Sequence, residues 1–456
     1  MRLAALVLAA LVAPASAQAP GAPVWEELAA SPYNSYRSED VFFLGPRGWA
    51  VTGVGGGRAY RTLDGGATWA ETARLGDYLR AVGFATPDVG WVGVLFSQTT
   101  QLYETRNGGL SYTDVTARIR PALQRGQGIC GLWVVDAQTV YAAGQYSSPA
   151  YILKTVDGGA TWTNTPMAPL VDELIDIRFF DAQHGLAVGG TGPASNSRAR
   201  IIGTDDGGRT WTVRHTVPNL NAVGWKLTFP TRLVGYASVE RFTNDPDGGQ
   251  DAIVLKTLDG GRTWAEIRVP DGGSLQGIGF ATPDMGWISG RGRTSVTTDG
   301  GLTWARVTPA RTGTRETDPV APGGQLDGDV NRFRFAEDAA GNLTGYAAGH
   351  RLYRLAVPRP TATADAPGRG DGLGAVWPNP SRGPVTVAYR TEAPGEVRLD
   401  VFDVRGRRVA GLADGPMAPG DHVATWNPGT LASGLYVVRL QAGPSVWTRS
   451  VSLVGR

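Results

Sequence analysis

Thr62-Leu-Asp-Gly-Gly-Ala-Thr-Trp69 is the first of six copies of one short phrase, and these copies decide the fold. The others span residues 105–112, 155–162, 204–211, 257–264 and 297–304. Their acidic or amide position is occupied by Asp64, Asn107, Asp157, Asp206, Asp259 and Asp299. Successive copies are separated by 43, 50, 49, 53 and 40 residues. Intervals of this length suit four short strands with their turns, the content of one propeller blade.

Each copy joins turn chemistry to strand chemistry. The Asp or Asn side chain can accept hydrogen bonds from nearby backbone N–H groups, and the second glycine permits a positive φ. The phrase resembles the Asp box, a hairpin turn of sialidases, sortilin-like receptors and BNR propellers of the photosystem II assembly factor type. The resemblance implies that the six copies are structural. We expect their aromatic residues in the blade cores: Trp69, Tyr112, Trp162, Trp211, Trp264 and Trp304.

A second repeated unit, an apolar strand followed by a Gly-aromatic strand, occurs seven times, with Val140-Tyr141 and Gly185-Leu186 as variants of the Gly-aromatic pair. The seventh copy, Phe333-Arg-Phe335 with Gly345-Tyr346, has no Asp box after it. Val24-Trp-Glu-Glu-Leu28 resembles the strand that follows each box, so we expect this N-terminal strand to complete the seventh blade. The sequence therefore predicts an all-β fold, with a seven-bladed propeller over residues 18–357. Closure of the ring removes exposed sheet edges.

Composition and targeting signals define the class of protein. The 456 residues carry 43 basic and 41 acidic side chains, a net charge of +2, so no global field favours nucleic acid. Residues 1–17 have the pattern of a Sec signal peptide, and no later stretch is long and apolar enough to predict a transmembrane helix. Cys130 is the single cysteine, so no intrachain disulfide is expected. We predict a secreted or outer-surface protein.

Residues 358–374 form a predicted linker rich in Pro, Ala, Thr and Gly, and residues 375–456 a predicted Ig-like sandwich. The second segment resembles the type A C-terminal sorting domain of the type IX secretion system. The matching motifs are Trp377-Pro-Asn-Pro380, Val401-Phe-Asp-Val-Arg-Gly-Arg407, Thr425-Trp426 and Leu431-Ala-Ser-Gly-Leu-Tyr436. The resemblance implies Sec export, passage across a Gram-negative outer membrane through the type IX machinery, and removal of the domain at the surface. The Ig-like domain of flagellar hook-capping proteins is the alternative.

The sequence offers no clear catalytic or metal constellation. A sialidase needs an arginine triad and an Arg-Ile-Pro signature, which only Arg118-Ile-Arg-Pro121 approaches. Asp245 to Asp251 is acidic but has no closing Glu, and Cys130 has no partner to activate it. The histidines lie far apart, so we expect no metal and no cofactor: His184, His215, His350 and His422.

The predicted recognition surface lies on the propeller face opposite the boxes. That face has the longest expected loops, residues 189–200, 240–252 and 308–330. Aligned starts of the inner strands carry five charged residues that would form a rim around the channel mouth: Asp40, Arg80, Asp176, Lys226 and Arg332. Over residues 24–355 the chain resembles the photosystem II assembly factor type of propeller, whose own family binds a protein. We therefore predict a noncatalytic module that binds an unknown extracellular protein or glycan, with a glycoside hydrolase or lyase as the alternative.

Overall fold

The computed structural model describes most of the chain between residues 25 and 453. The described residues are 25–32, 37–123, 127–146, 149–192, 196–219, 221–241, 252–269, 275–290, 292–306, 326, 329–337, 343–357, 372–377, 381, 383–391, 393–403, 407–443 and 445–453. The predicted signal peptide, most of the predicted linker and most of the loops at 240–252 and 308–330 lie outside them. No helix among these residues has the length and apolar character needed to span a membrane.

The described residues form seven blades, six of four strands and one of five, and the successive strands of each blade pair antiparallel outward from its first strand. Blade 1 contains β2 Ser38–Leu44, β3 Arg47–Thr52, β4 Arg58–Thr62 and β5 Ala70–Arg74. Blade 2 contains β6 Tyr78–Phe84, β7 Gly90–Leu95, β8 Leu102–Thr105 and β9 Thr113–Asp114. Blade 3 contains β11 Gly131–Val134, β12 Val140–Gly144, β13 Tyr151–Thr155 and β14 Trp162–Pro166. A 3-10 turn, Thr116–Arg118, leads into β10, Ile119–Arg120, which pairs in parallel with β14.

Blades 4 to 7 repeat the arrangement. Blade 4 contains β15 Glu173–Phe179, β16 Gly185–Thr191, β17 Arg198–Thr204 and β18 Thr212–Thr216. Blade 5 contains β19 Ala222–Thr228, β20 Gly235–Arg241, β21 Ala252–Thr257 and β22 Ala265–Val269, and blade 6 contains β23 Gly277–Phe280, β24 Gly286–Gly290, β25 Arg293–Thr297 and β26 Ala305–Arg306. Blade 7 contains β27 Arg332–Glu337, β28 Leu343–Ala348 and β29 Leu352–Val357. The pairing of β16 with β17 shortens the expected loop 189–200, because Gly189 and Gly190 are already in the ladder.

The N-terminal strand closes the ring. Strand β1, Glu26–Glu27, pairs antiparallel with β29, and the Leu28 amide donates to the Leu352 carbonyl at 2.9 Å. Trp25 is 3% exposed and makes edge contacts with Trp287 at 5.3 Å and Phe333 at 5.5 Å. The predicted all-β, seven-bladed propeller closed by an N-terminal strand is confirmed.

The Gly-aromatic motif explains how successive blades stack. Trp49, on the second strand of blade 1, lies flat on Phe84, on the first strand of blade 2, with ring centroids 3.6 Å apart. Gly90 faces that same Phe84, and a Cβ atom there would lie 2.5 Å from its ring. The glycine therefore provides room for one ring and the next residue provides the stacking partner for another. The same stacking joins Tyr141 to Phe179, Tyr236 to Phe280, and Tyr346 to Phe43.

The repeated turns connect the third and fourth strands of their blades, as expected. In the third copy, Thr155 Oγ1 donates to Asp157 Oδ1 at 2.7 Å, and Thr161 donates to Asp157 through its amide at 3.0 Å and its hydroxyl at 2.6 Å. The Gly159 amide donates to Thr155 Oγ1 at 2.9 Å. These bonds, led by the Thr161 hydroxyl, lower the pKa of Asp157 to about 2.

The aromatic residues of the turns are less uniformly buried than the sequence predicts. Trp162 is 1% and Trp211 8% exposed, but the other four are only partly buried: Trp69, Tyr112, Trp264 and Trp304. Position explains the difference for Trp162, because the extra strand β10 pairs alongside it. At the outer edge of their blades, Trp69 and Trp264 instead donate Nε1 to the carbonyls of Gly66 and Gly261, both at 3.1 Å.

The C-terminal segment is a β-sandwich of seven strands in two sheets, the strand count of an Ig-type sandwich. One sheet contains β30 Gly372–Trp377, β31 Val385–Thr391 and β34 Gly420–Trp426. The other contains β32 Gly395–Asp403, β33 Arg408–Met417, β35 Gly434–Ala442 and β36 Ser445–Leu453. Trp426 is 2% exposed between them and contacts Tyr436 at 5.3 Å. The first strand starts at Gly372, inside the stretch that the sequence assigns to the linker.

Candidate functional site in the central channel

β-Bulges shape the channel lining. The first strands of blades 1, 2, 4 and 5 each contain one extra residue at the same level, where the ladder register shifts. The extra residues are Glu39, Arg80, Ile175 and Trp225. A bulge bends the strand and redirects side chains. Arg80 consequently aligns with Glu39, not with Asp40 as the sequence alignment assumed.

An ion-pair layer crosses the channel just beyond the bulges. Arg332 of blade 7 binds Asp176 of blade 4 through two hydrogen bonds, at 2.9 and 3.0 Å, and its Nε lies 3.3 Å from Asp40 of blade 1. Arg334 also binds Asp40, at 2.8 Å. Burial opposes the charge of Asp176, but Arg332 holds its pKa at about 2. Three blades are thereby tied together across the ring.

The layer brings the predicted rim residues together but buries them. Exposure is 0% for Asp40, 4% for Arg80, 3% for Asp176, 1% for Lys226 and 6% for Arg332. They therefore fill the channel interior and do not form a solvated rim. Arg332 pairs with Asp40 and Asp176, Arg80 pairs with Glu39, and burial lowers the pKa of Lys226. Their predicted role in binding stays a prediction.

A second layer, at the level of the bulges, is also paired. Arg80 binds Glu39, whose carboxylate also accepts the Tyr78 hydroxyl at 2.6 Å. Burial disfavours the Glu39 charge, but Arg80 and Arg37 keep its pKa below the ordinary value. Asn331 donates to the Glu39 carbonyl at 2.8 Å. The side chains of the two layers are largely buried and fill the middle of the channel.

Lys226 and Cys130 are the channel's nucleophile-type side chains. Burial, followed by the charges of Arg332 and Arg80, lowers the pKa of Lys226 well below its ordinary value. Burial raises the pKa of Cys130 to about 11, so its thiolate is disfavoured at neutral pH. The expectation that Cys130 is a small buried residue agrees with its exposure of 1%.

The two channel ends open on different propeller faces. We call the face that has the turns between first and second strands and between third and fourth strands, such as 45–46 and 63–69, the hairpin face. The loop face has the connections between blades and those between second and third strands, such as 75–77 and 96–101. The predicted recognition surface belongs to the loop face.

At the loop face, four aromatic side chains that sequence reasoning missed form what we call the aromatic rim: Tyr78, Phe96, Tyr146 and Trp225. Phe96 is 56% exposed and has a φ of 65°, an uncommon conformation for a non-glycine residue. Its ring lies 5.8 Å from Tyr78 and 6.5 Å from Tyr146, and Tyr146 lies 5.8 Å from Trp225. A sequence signal exists only for Trp225 and Tyr78, which flank charged inner-strand residues.

At the hairpin face, the first strands end around a cavity of about 440 Å³. Three arginines face it, Arg178, Arg332 and Arg334. Its walls are largely aromatic: Phe42, Trp133, Phe229, Phe280, Phe335 and Tyr346. A second cavity, near the turns of blades 4 and 5, is only about 70 Å³ and includes His184, Arg214 and Arg232. Within the part of the chain that the structure describes, no cluster of three metal-ligand side chains occurs.

Comparisons with known proteins match two segments. Residues 167–272 match the family model of the photosynthesis system II assembly factor YCF48, and residues 375–453 match the secretion system C-terminal sorting domain. No curated protein sequence matches the chain. The fold and channel thus define a closed seven-bladed β-propeller followed by a β-sandwich. More particularly, the propeller contains a segment similar to the YCF48 family, and the sandwich is similar to the secretion system C-terminal sorting domain.

Solved structures similar to the chain include three of interest. YCF48 bound to a D1 peptide is 17% identical, with 74% of this chain and 97% of that one covered and a TM-score of 0.49. An ancestral GH74 enzyme is 14% identical, with 96% and 64% covered and a TM-score of 0.49. PorZ, a type IX secretion component of Porphyromonas gingivalis, is 13% identical, with 97% and 61% covered and a TM-score of 0.47. At these identities the similarity carries no information about ligand or chemistry.

Proposed function

We propose that this chain is a secreted or cell-surface, noncatalytic propeller that binds an extracellular protein or glycan at the aromatic rim. A signal peptide at residues 1–17 directs it to the Sec pathway, and residues 375–456 direct it to the type IX secretion system. The export half rests on the sorting-domain match at residues 375–453. The binding half rests on one observation, the aromatic cluster at the loop-face end of the channel, in which Phe96 is 56% exposed, Tyr78 and Tyr146 are partly buried and Trp225 is buried.

The chemistry of the aromatic rim supports recognition. Aromatic rings supply large contact areas with little conformational entropy to lose, and they suit both sugar faces and apolar side chains of a protein. Phe96 holds its ring in solvent at the expense of a strained backbone, and strain of this kind concentrates at functional sites. The Tyr78 hydroxyl is fixed by Glu39 and Trp225 Nε1 by Asn331 at 3.0 Å, so two of the four side chains are preorganised.

The charges of the channel support binding without turnover. Glycoside hydrolysis uses two carboxylates on either side of the scissile bond. In the described channel, Glu39, Asp40 and Asp176 are buried and engaged by arginines. The cavity at the hairpin face has no Asp or Glu among its described lining residues.

The binding proposal is tested with the purified mature protein on glycan and extracellular-protein arrays, followed by titration of each hit. Phe96→Ser removes the exposed ring, so affinity for a true partner should fall by about tenfold or more. Leu302→Ser is the matched control, since Leu302 is 80% exposed on the hairpin face. Equal losses in both variants, or release of product from a polysaccharide panel, would argue against this function.

The export proposal is tested in a Gram-negative host that has a type IX system. A chain that ends before residue 372 should accumulate inside the cell envelope, whereas a fluorescent protein fused to residues 372–456 behind a signal peptide should reach the surface or medium. Immunoblots of the fractions report both results. Normal appearance of the truncated chain in the medium would refute the sorting assignment.

A further inference from the structure

The cavity at the hairpin face has a built charge pattern that the proposed function does not use. It lies at the opposite end of the channel from the aromatic rim, beyond the ion-pair layer. Its volume of about 440 Å³ is in the range of small-molecule sites. Arg332 and Arg334, two of its three arginines, are neutralised by Asp40 and Asp176. Three guanidinium groups facing two carboxylates leave one excess positive charge.

Arg178 carries that excess charge. Among the described residues it makes no ion pair, and its one hydrogen bond runs from Nη2 to the Phe229 carbonyl at 3.3 Å. Its Nε is buried without a hydrogen-bond partner. Arg178 as a whole is partly buried, and an unpaired charge in such a position is costly, so an anion that accepts from its remaining N–H groups would be stabilising.

Aromatic rings hold the Arg178 guanidinium in place. It lies 4.7 Å from the ring centre of Trp133, 5.5 Å from that of Phe229 and 5.9 Å from that of Phe180. Burial lowers the pKa of Arg178 to about 10, with Asp176 opposing and Arg334 adding to this effect. The group therefore remains a cation at neutral pH. Cation–π contacts position a charge but do not neutralise it.

We propose that the cavity binds an organic anion, a carboxylate on an apolar or aromatic body, with the carboxylate on Arg178 and the body against the aromatic walls. A guanidinium group matches the two oxygens of a carboxylate. Sugar hydroxyls fit poorly, because they need several hydrogen-bonding partners. Among the described lining residues, the Thr228 hydroxyl already accepts the Phe280 amide at 3.3 Å, and Tyr346 and Trp133 supply one polar group each. The carboxylate can come from a small acid or from the C-terminus of a chain.

Calorimetric titration of the full-length mature protein tests the site with matched probes. 3-Phenylpropionate presents the anion, and 3-phenylpropanamide presents the same body without charge. We expect saturable binding of the acid and roughly 10- to 100-fold weaker binding of the amide, the range for a lost charge-assisted hydrogen bond. A short peptide that ends in phenylalanine, with a free or an amidated terminus, distinguishes the two sources. A free-terminus peptide that binds as well as the acid points to a chain end, and one that does not bind points to a small acid.

Three variants locate the binding. Arg178→Gln should weaken binding of the acid by roughly 10- to 100-fold and leave the affinity for the amide unchanged. Arg262→Gln, at an exposed arginine of the same face, should have no effect. Ala336→Phe tests the location of the binding site without changing any charge. Ala336 is exposed on the cavity wall, two residues after Arg334, and the larger phenylalanine side chain should block binding of both probes. Thermal unfolding curves check that each variant folds.

Several outcomes would overturn the proposal. Equal affinity for the acid and the amide would exclude recognition of the charge. Unchanged acid binding in a folded Arg178→Gln protein, or in a folded Ala336→Phe protein, would place the anion elsewhere. The absence of saturable binding of either probe to the wild-type protein would also reject it. None of these results bears on partner binding at the aromatic rim, which Phe96→Ser reports separately.

Discussion

Arg332 connects three blades through two carboxylates that are otherwise far apart in the chain. Asp40 and Asp176 are 0% and 3% exposed. Asp176 depends on this guanidinium for compensation of its charge, whereas Asp40 also pairs with Arg334. Burial opposes the Arg332 charge as well, but Asp176 and Asp40 raise the pKa of Arg332 above its ordinary value. We expect the layer to contribute more to the specificity of blade arrangement than to net stability, because desolvation offsets much of the attraction.

Removal of one partner should nevertheless be severe. Arg332→Ala leaves the buried Asp176 without its guanidinium partner and leaves Asp40 with Arg334 alone. Breaking such a buried pair costs about 3–5 kcal/mol. Denaturant unfolding of the propeller measures the loss. Arg262→Ala, at an exposed arginine, is the control and should change stability little. Indistinguishable midpoints for Arg332→Ala and the wild type would show that the layer is not held as described.

Sequence reasoning located these residues but misjudged their surroundings. A charged residue in a sequence ordinarily indicates a position exposed to solvent. Arg334, which pairs with Asp40, lies 294 residues away in the chain. Arg178 and Arg334 were missed although each lies two residues after a selected position, and strand alternation places such residues on the same face. The excess charge of Arg178 could not be predicted, because it is the remainder after pairings between distant blades are complete.

At the scale of elements, the repeated turn is a small hydrogen-bonded unit whose second glycine has a packing role as well as a conformational one. Gly158 and Gly159 both have positive φ, 67° and 86°. A Cβ on Gly158 would lie 3.3 Å from the Ala137 carbonyl oxygen, whereas one on Gly159 would lie 2.8 Å from Trp91 Nε1. The second glycine therefore sits directly against Trp91, the aromatic residue of the Gly-aromatic motif in the preceding blade.

Two alanine substitutions separate these roles. Gly158→Ala should cost about 1–2 kcal/mol, the expense of a left-handed backbone for a residue with a Cβ. Gly159→Ala should cost a further ~1–3 kcal/mol, because Trp91 has to move in a packed core. Urea unfolding of both variants gives the comparison. A Gly159→Ala protein as stable as Gly158→Ala would contradict the close packing of turn and blade.

The same turn predicts a pH dependence. Asp157 has its pKa lowered from 3.8 to about 2, chiefly by the Thr161 hydroxyl. A carboxyl group whose pKa is lower in the folded state stabilises that state at any pH above its pKa in the unfolded chain. This stabilisation is lost as the pH falls through the pKa of the folded state. Thr161→Val should thus reduce stability at pH 6, and its deficit relative to wild type should shrink between about pH 4 and pH 2.

Unfolding free energies at several pH values measure that deficit. Thr163→Val is the control, since Thr163 is exposed on the following strand and its hydroxyl does not contact Asp157. Its difference from wild type should not vary with pH. A Thr161→Val deficit that stays constant, or grows, toward pH 2 would contradict the assigned hydrogen bonds.

The elements were predictable from the sequence to different degrees. Blade number and the closing strand follow from repeats, because each copy of the Gly-aromatic motif and of the turn is needed for stacking. The bulges at Glu39 and Arg80 were not predicted, since one extra residue leaves the apolar pattern of the strand nearly unchanged. The extra strand β10, which explains the deeper burial of Trp162, has only two residues and no pattern of its own.

At the scale of the whole molecule, closure of the ring creates every site discussed above. The channel, its ion-pair layers, the aromatic rim and the cavity each contain residues from at least three blades. Closure depends on β1, which supplies the outer strand of blade 7, and on Trp25, which packs between blades 6 and 7. An open array of blades would separate Arg332 from Asp40 and leave Arg178 in solvent.

An engineered disulfide across β1 and β29 tests closure most directly. Glu26 lies opposite Arg354, and facing residues in an antiparallel pair have Cα atoms about 4.5–5.5 Å apart, within disulfide range. Glu26→Cys with Arg354→Cys should form a crosslink under mild oxidation, seen by mass spectrometry of the linked peptides, and should raise the unfolding temperature. Glu26→Cys with Glu71→Cys, on the outer strand of blade 1, should remain reduced. Failure of the first pair to link in folded protein, or equal linking of the second, would contradict a ring closed by its N-terminal strand.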